Sequence, residues 1–355
     1  MDDLRLLLDL LGTPSPSGSE GPALDVFSLH AERLGFAVTR DAAGNARATL
    51  GAGQPHILFL GHIDTVPGFW PPRTEDGHVH ARGAVDAKGA LAAGLLAAAK
   101  VGPSARGTRT VVAAVGEETD SRGVFELLRG PAPDAVLVGE PSGWDRVTIG
   151  FRGQRFGTFE ARVRPAHGSA PAPSALDLAV DAAARLRVSV ASMARGSVFA
   201  SPSCRIVGWT HAATPAEETA GFRADVRAPK GFDWSRLEEA VPGILWSRPT
   251  EAVLVDKGNP VVRALVAAIR ANGGRPSYVL KAGTSDMNHA ARVWKVPMAS
   301  FGPGDSTLDH GPDEQLSLEE FRASIGILED AYGRLAESLG NQVEKSQSGI
   351  RGLRA

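Results

Sequence analysis

Four short apolar runs, each leading to a carboxylate or a histidine, set the strongest constraint on how this chain can fold. Ile57–Leu60 leads to His62 and Asp64, Val111–Val115 to Glu117 and Glu118, and Ala135–Val138 to Glu140. Val296–Phe301 leads through Gly302-Pro303-Gly304-Asp305 to Asp309 and His310. A fifth segment, Gly83-Ala84-Val85-Asp86, precedes a helical stretch from Lys88 to Val101. Apolar runs of this length, bounded by turn residues and alternating with helical segments, argue an α/β domain with a largely parallel sheet. In such sheets ligands gather beyond the carboxyl ends of the strands. The five segments should therefore bring oxygen and imidazole donors to one edge of one sheet. His62 and Asp64 share a strand face, so one can bind a metal while the other orients it.

Two histidines and several carboxylates, with no cysteine among them, suit zinc, cobalt or manganese. They are more donors than one tetrahedral zinc needs, and two ions sharing a bridging carboxylate would use them all. Such a site activates a water and stabilises the oxyanion of an attacked carbonyl. It also needs a carboxylate outside the metal shell to move protons, and adjacent Glu117 and Glu118 could divide these roles. Taken singly, each acidic residue reads as a solvated loop residue. His30, His56, His78, His80 and His211 read as surface or packing residues. His289 stays open because it follows Gly283-Thr284-Ser285-Asp286.

At 355 residues the chain is large for one core, which favours two domains. The net charge of -2 carries no nucleic-acid signature. No stretch reaches the ~18 apolar residues of a membrane span, and Met1-Asp2-Asp3-Leu4 is acidic where a signal peptide is basic. The single cysteine, Cys204, excludes an intrachain disulfide and fits a reducing cytoplasm. It reads as a small buried residue rather than a nucleophile.

Leu4, Leu7, Leu8 and Leu11 predict a first helix, and Ser17-Gly18-Ser19-Glu20 predicts a capping box for the next, ending near Leu34-Gly35. The middle of the chain differs from its flanks. Strand-like runs at Phe156–Val163, Arg205–Trp209, Phe222–Arg227 and Ala252–Val255 enclose helices at about 175–193 and 234–240. That β-α-β-β-α-β order predicts a ferredoxin-like α+β domain inserted into the first. The expected division is a catalytic domain of residues 1–153 and 259–340, an inserted domain of residues 154–258, and a disordered tail of residues 341–355. A second capping box, Ser317-Leu318-Glu319-Glu320, opens a helix expected to end near Gly340.

These residues resemble the dinuclear zinc hydrolases that include acetylornithine deacetylase, succinyl-diaminopimelate desuccinylase and carboxypeptidase G. The matching segments are Gly61-His62-Ile63-Asp64-Thr65-Val66, Arg82-Gly83-Ala84-Val85-Asp86-Ala87-Lys88-Gly89, Gly116-Glu117-Glu118, Gly139-Glu140-Pro141-Ser142 and Leu308-Asp309-His310. They follow the family's order across nearly the whole chain. The resemblance implies that His62 and Glu140 bind one metal, Glu118 and His310 the other, and that Asp86 bridges them. It implies that Asp64 orients His62, and that Glu117 is the general base serving water and leaving amine. His167, in Ala166-His167-Gly168-Ser169-Ala170-Pro171, looks like the family histidine that reaches across a homodimer to the scissile carbonyl. Arg223 resembles the arginine that holds a substrate carboxylate, and Thr284 falls in the family's Gly-Thr-Ser-Asp loop near the substrate. The inserted domain would then serve dimerisation and act as a lid.

One departure stands out. Relatives often show Asn-x-Ile-Pro in the inserted domain, where this chain reads Ala212-Ala213-Thr214-Pro215. Within the family, the segments from Lys281 to Asn288 and from Phe301 to His310 resemble lysine- and ornithine-releasing hydrolases of the amino-group-carrier-protein pathway. That likeness implies a small acidic carrier protein as substrate, cut at the amide on its C-terminal glutamate side chain, in lysine or arginine biosynthesis. The alternative is deacylation of a small N-acyl amino acid such as acetylornithine, acetyl-lysine or succinyl-diaminopimelate. A non-catalytic metal- or nucleotide-binding module is disfavoured, because no Gly-x-x-x-x-Gly-Lys-Ser/Thr or dinucleotide fingerprint is present.

Overall fold

The computed structural model describes residues 3–352. The chain divides into two compact units, the first running to Ile149 and resuming at Val255–Val279 and from Ser285 onward, the second comprising Gly150–Leu254 and Leu280–Thr284.

The first unit is built on a mixed sheet. Its centre is four parallel strands, in the order Gly107–Ala114, His56–His62, Ala135–Val138 and Met298–Ser300. Antiparallel strands flank it, with Ala46–Ala52 and Ala37–Arg40 beyond Gly107–Ala114 and Arg146–Phe151 beyond Met298–Ser300. Register explains why the donors converge. His62 lies opposite Ala114, Leu60 opposite Val138, and Val138 opposite Ser300. Parallel strands end together, so the residues just past Ala114 and Val138 emerge beside His62.

The helix Lys88–Val101 is almost wholly buried because its sequence is nearly all Ala, Gly and Leu. At Gly94 an added Cβ would lie 2.6 Å from the Phe59 ring, so that glycine sets how closely helix and sheet approach. Phe27, Phe59, Leu91, Leu95, Phe301, Phe321 and Leu335 belong to one continuous core. The helix Leu318–Gly352 continues past Gly340, where the sequence pattern placed its end and the start of a disordered tail. Residues 353–355 of that expected tail lie outside the described residues. Among the described residues, no helix is long and apolar enough to cross a membrane.

The second unit has an antiparallel sheet in the order Ser203–Ala213, Glu218–Ala228, Gly153–Val163 and Leu245–Trp246. The helix Ala175–Ser192 packs Ala182, Ala183, Leu186 and Val190 against Phe222, Ala224 and Val226. Its start is fixed by a reciprocal capping box between Ser174 and Asp177. One strand differs from expectation. Val253–Leu254 pairs with Phe151 and Gly150, not with the four-stranded sheet, whose last strand is Leu245–Trp246. Leu280–Thr284 joins this unit through Lys281 O, which accepts from Arg152 N at 3.1 Å, and Thr284 Oγ1, which accepts from Arg227 at 3.1 Å.

Candidate metal centre

His62 leaves its strand buried, with Nε2 3.0 Å from Asp86 Oδ1 and Nδ1 3.0 Å from the Asp64 backbone oxygen. The Asp64 carboxylate stands further from the ring, at 3.5 Å. His310 Nε2 lies 3.1 Å from both Asp86 Oδ2 and Glu118 Oε1. Two groups of donors result, His62–Asp86–Glu140 and Asp86–Glu118–His310, with the ligand atoms of each group within 4.8 Å of one another. Asp86 belongs to both and gives one oxygen to each histidine.

Local structure places each donor for a physical reason. Gly116, with φ of 74°, turns the chain sharply after Val115, and an added Cβ there would lie 2.5 Å from Arg122 and Asp120 atoms. The Gly116 carbonyl accepts from the amides of Thr119, Asp120 and Ser121, closing a tight loop that displays Glu117 and Glu118. Asp64 holds that loop from below, its Oδ1 accepting from Glu117 N and its Oδ2 from Glu118 N, each at 3.1 Å. The expected capping box at Ser17–Glu20 does not form. The helix Gly21–Arg33 begins with no side-chain cap. Ser17 instead donates to Asp64 Oδ2 at 2.7 Å, and buried Glu20 accepts from Arg122 at 2.5 Å. Both residues support the Glu117 loop, which is a stronger demand on a buried polar group than an exposed helix end. At the second box, Glu320 N reaches Ser317 at 3.4 Å, while the Glu320 carboxylate accepts from Gly304 N.

The electrostatics are those of a site built around cations. Burial pushes the Glu117 and Glu140 carboxyls well above the usual range, opposed by His62 and reinforced by neighbouring carboxylates. Burial also raises Glu118 against its hydrogen bond from His310. For Asp86 burial is outweighed by hydrogen bonds from His310 and His62, which hold it low. His310 is pushed up to about 10 by its bonds to Asp86 and Glu118. Buried carboxylates of this density are tolerated only when paired or coordinated. Two imidazoles and three carboxylates fit divalent ions of the zinc, cobalt and manganese type.

His167, Arg223 and Thr284 lie in the second unit. His167 is exposed, with Nδ1 2.8 Å from Ser169 Oγ. Arg223 is exposed with its guanidinium over the Phe156 ring at 4.0 Å. Thr284 is paired with Arg227, which itself bonds Asp225. His289, left open by sequence, packs edge-on against Phe125 and stands apart from the donor groups. Cys204 is partly buried and its thiol is pushed up to about 11 by burial, as an inert packing residue requires.

Sequence reasoning missed two buried carboxylates. Asp286 is 2% exposed and has one oxygen without a hydrogen-bond partner. Burial raises it to about 7, opposed by His62 and aided by Asp64. Glu314 is 1% exposed and accepts from Arg82 and from two backbone amides. Its only signal in the sequence is a position four residues after His310.

The chain matches the peptidase family M20/M25/M40 over residues 58–334. It is 33% identical over 348 residues to the [LysW]-lysine hydrolase of Deinococcus radiodurans, covering 93% of this chain and 96% of that one. It is 36% identical over 351 residues to a putative [LysW]-lysine/[LysW]-ornithine hydrolase of Thermococcus kodakarensis, covering 97% and 95%. The M20 family metallo-carboxypeptidase Sso-CP2 from Sulfolobus solfataricus shares its fold, with a TM-score of 0.79 at 17% identity over 95% of this chain and 99% of that one. With the fold, the donor geometry and these likenesses in agreement, the chain belongs to the M20/M25/M40 family of metal-dependent hydrolases.

Proposed function

We propose that this chain is a two-metal amidohydrolase that releases lysine or ornithine from the C-terminal glutamate side chain of a small acidic amino-group carrier protein. The observation that carries the chemistry is Asp86, one carboxylate standing in both donor groups. The substrate class is supported by relatives named for it that are 33% and 36% identical over nearly the whole chain.

In this reading His62, Glu140 and Asp86 hold one divalent ion, and Glu118, His310 and Asp86 hold the second. Zinc is the favoured metal, with cobalt or manganese as substitutes. Two such ions, when bound, polarise a carbonyl and acidify a water. Glu117 stands outside both donor groups. Its raised proton affinity suits a base that takes the water proton and delivers it to the departing amine. Asp64 fixes His62 through its own carbonyl and the Glu117–Glu118 loop through its carboxylate. Arg223 is assigned to a substrate carboxylate and Thr284 to a position near the substrate.

His167 is assigned as an oxyanion donor supplied by the second copy of a homodimer. The inserted unit offers a surface for that pairing. Ser203–Ala213 is an edge strand with Trp209 and Val207 half exposed, and Leu176, Val180 and Val188 are exposed on the neighbouring helix. The enzyme is placed in the cytoplasm, in lysine or arginine biosynthesis.

The test is a metal-titrated assay comparing carrier-linked lysine, carrier-linked ornithine and acetylated amino acids. Preference for a carrier-linked substrate is expected. Faster turnover of acetylornithine or acetyl-lysine would replace the carrier reading with that of a small-molecule deacylase.

A further inference from the structure

The donor group Asp86–Glu118–His310 joins segments more than two hundred residues apart in sequence. Asp86 lies before the helix Lys88–Val101, and His310 lies in the loop before Leu318–Gly352. Some feature of the chain must hold these segments at a fixed separation, because the geometry of a shared carboxylate tolerates little error. His310 adds a demand of its own. Its φ is 61°, a left-handed conformation that non-glycine residues hold only when their surroundings enforce it.

The connection between the two segments runs through Glu314 and Arg82. Glu314 Oε1 accepts from Val85 N at 2.9 Å and from Asp86 N at 3.1 Å. Glu314 Oε2 accepts from Arg82 Nη1 at 2.7 Å. Arg82 Nη2 in turn donates to the His310 backbone oxygen at 3.4 Å. The Arg82 guanidinium is held by the Trp70 ring, 4.9 Å from its carbon. The Glu314 carbonyl also accepts from Ala81 N at 3.3 Å, so the two segments are joined by main chain as well. Both charged groups are buried, with side chains 8% and 1% exposed for Arg82 and Glu314. A buried pair of this kind is weak evidence for added stability, since desolvation offsets its attraction. Its bonds are spent on the backbone of one donor and the backbone of another.

We propose that Glu314 and Arg82 are a positioning pair that sets Asp86 against His310, and so fixes affinity for the metal ion that His310 helps to hold. Neither residue belongs to a donor group; both act through the backbone of residues that do or that adjoin them. The proposal rests on the two-metal reading of the site. It predicts that the forked geometry matters as well as the charge, because Arg82 reaches Glu314 from Nη1 and His310 from Nη2, a planar spacing that the single nitrogen of a lysine does not reproduce.

The test compares Glu314→Gln, Arg82→Lys and the wild-type enzyme after chelation and stepwise reloading with cobalt. Bound metal per subunit and the visible absorption of the cobalt form are read alongside kcat and KM. A core variant, Leu335→Ala, serves as a thermally destabilised control, since Leu335 is fully buried and outside the donor groups. In both pair variants one of the two cobalt-binding steps should lose about 10–100-fold in affinity, with a changed cobalt spectrum, while the control keeps wild-type metal binding. If Glu314→Gln does not fold, Arg82→Lys alone decides. Wild-type cobalt titration and spectrum in a folded pair variant would overturn the positioning role. So would equal metal loss in the Leu335→Ala control, which would make the pair merely structural. Wild-type protein that takes up no second ion would instead overturn the two-metal reading.

Discussion

Asp64 Oδ1 accepts the backbone amide of Glu117 at 3.1 Å. The residue at the end of one parallel strand thus holds the loop at the end of the next, and the expected general base is positioned through its own main chain. Asp64→Ala leaves the amides of Glu117 and Glu118 without their buried acceptor. The expected cost is about 1–3 kcal/mol of stability, with metal affinity or kcat lower by roughly 10–100-fold. Asp64→Asn keeps one acceptor oxygen and should fall between. Thermal melts and metal titrations check this, and a wild-type titration in folded Asp64→Ala would refute it.

Glu117 and Glu118 are neighbours whose variants should fail differently. Glu117→Gln should retain both metals and lose roughly 10²–10⁴-fold in kcat, the share expected of a general base. Glu118→Gln removes a donor that lies 3.1 Å from His310 and should reduce metal content as well. Metal analysis beside single-turnover rates separates the two. Near-normal turnover by Glu117→Gln would remove it from the reaction.

The donor edge was legible because strand ends in a parallel sheet are a local property of sequence. Apolar runs at Ile57–Leu60, Val111–Val115 and Ala135–Val138 predict where His62, Glu117 and Glu140 emerge. The supports behind them were not legible. Ser17 and Glu20 carry the spacing of a capping box, yet both side chains serve the Glu117 loop instead. Nothing within three residues of Ser17 signals that its partner is Asp64. Glu314 is hidden for the same reason, since its partners at Arg82, Val85 and Asp86 are more than two hundred residues away. Order along the chain alone assigns the strand Ala252–Val255 to the inserted sheet. Strand order does not say which edge a short strand will join, and Val253–Leu254 pairs with Gly150 and Phe151.

Chelation should abolish activity and lower the melting temperature together. Without a cation, buried Glu140 and half-buried Asp86 and Glu118 are left as converging carboxylates, two of them raised by burial. Metal at about 100 times its dissociation constant should return about 2.7 kcal/mol of stability per independent site. Differential scanning calorimetry across a zinc or cobalt series measures this. A chelated enzyme with unchanged melting and unchanged turnover would show that the donor groups do not serve as a metal centre.

Cys204 should be unreactive at neutral pH. Burial raises its thiol to about 11, with Arg187 opposing and Asp225 adding a smaller push. The reactive form is the thiolate, so reactivity should rise with pH towards 11 and not fall. At pH 8 only roughly 10⁻³ of the thiol is ionised, and a disulfide reagent should label it at least ~100-fold more slowly than free cysteine. Cys204→Ser should keep full activity. Fast labelling of the folded enzyme at pH 8, with loss of turnover, would contradict the packing role.

His167 offers the sharpest test of assembly. If it acts on the partner's site, Glu117→Ala and His167→Ala homodimers are both inactive, because each lacks one element at every site. A heterodimer of the two has one site with Glu117 from one subunit and His167 from the other, and that site is complete. Random reassortment makes half the dimers mixed, so mixing equal amounts should restore about a quarter of wild-type activity in a closed two-fold dimer. If His167 serves its own subunit, mixing restores nothing, because every site then lacks either base or histidine. Activity measured after co-refolding, with dimer content checked by light scattering, distinguishes the two arrangements. Near-wild-type activity of the His167→Ala homodimer would remove the residue from the reaction altogether.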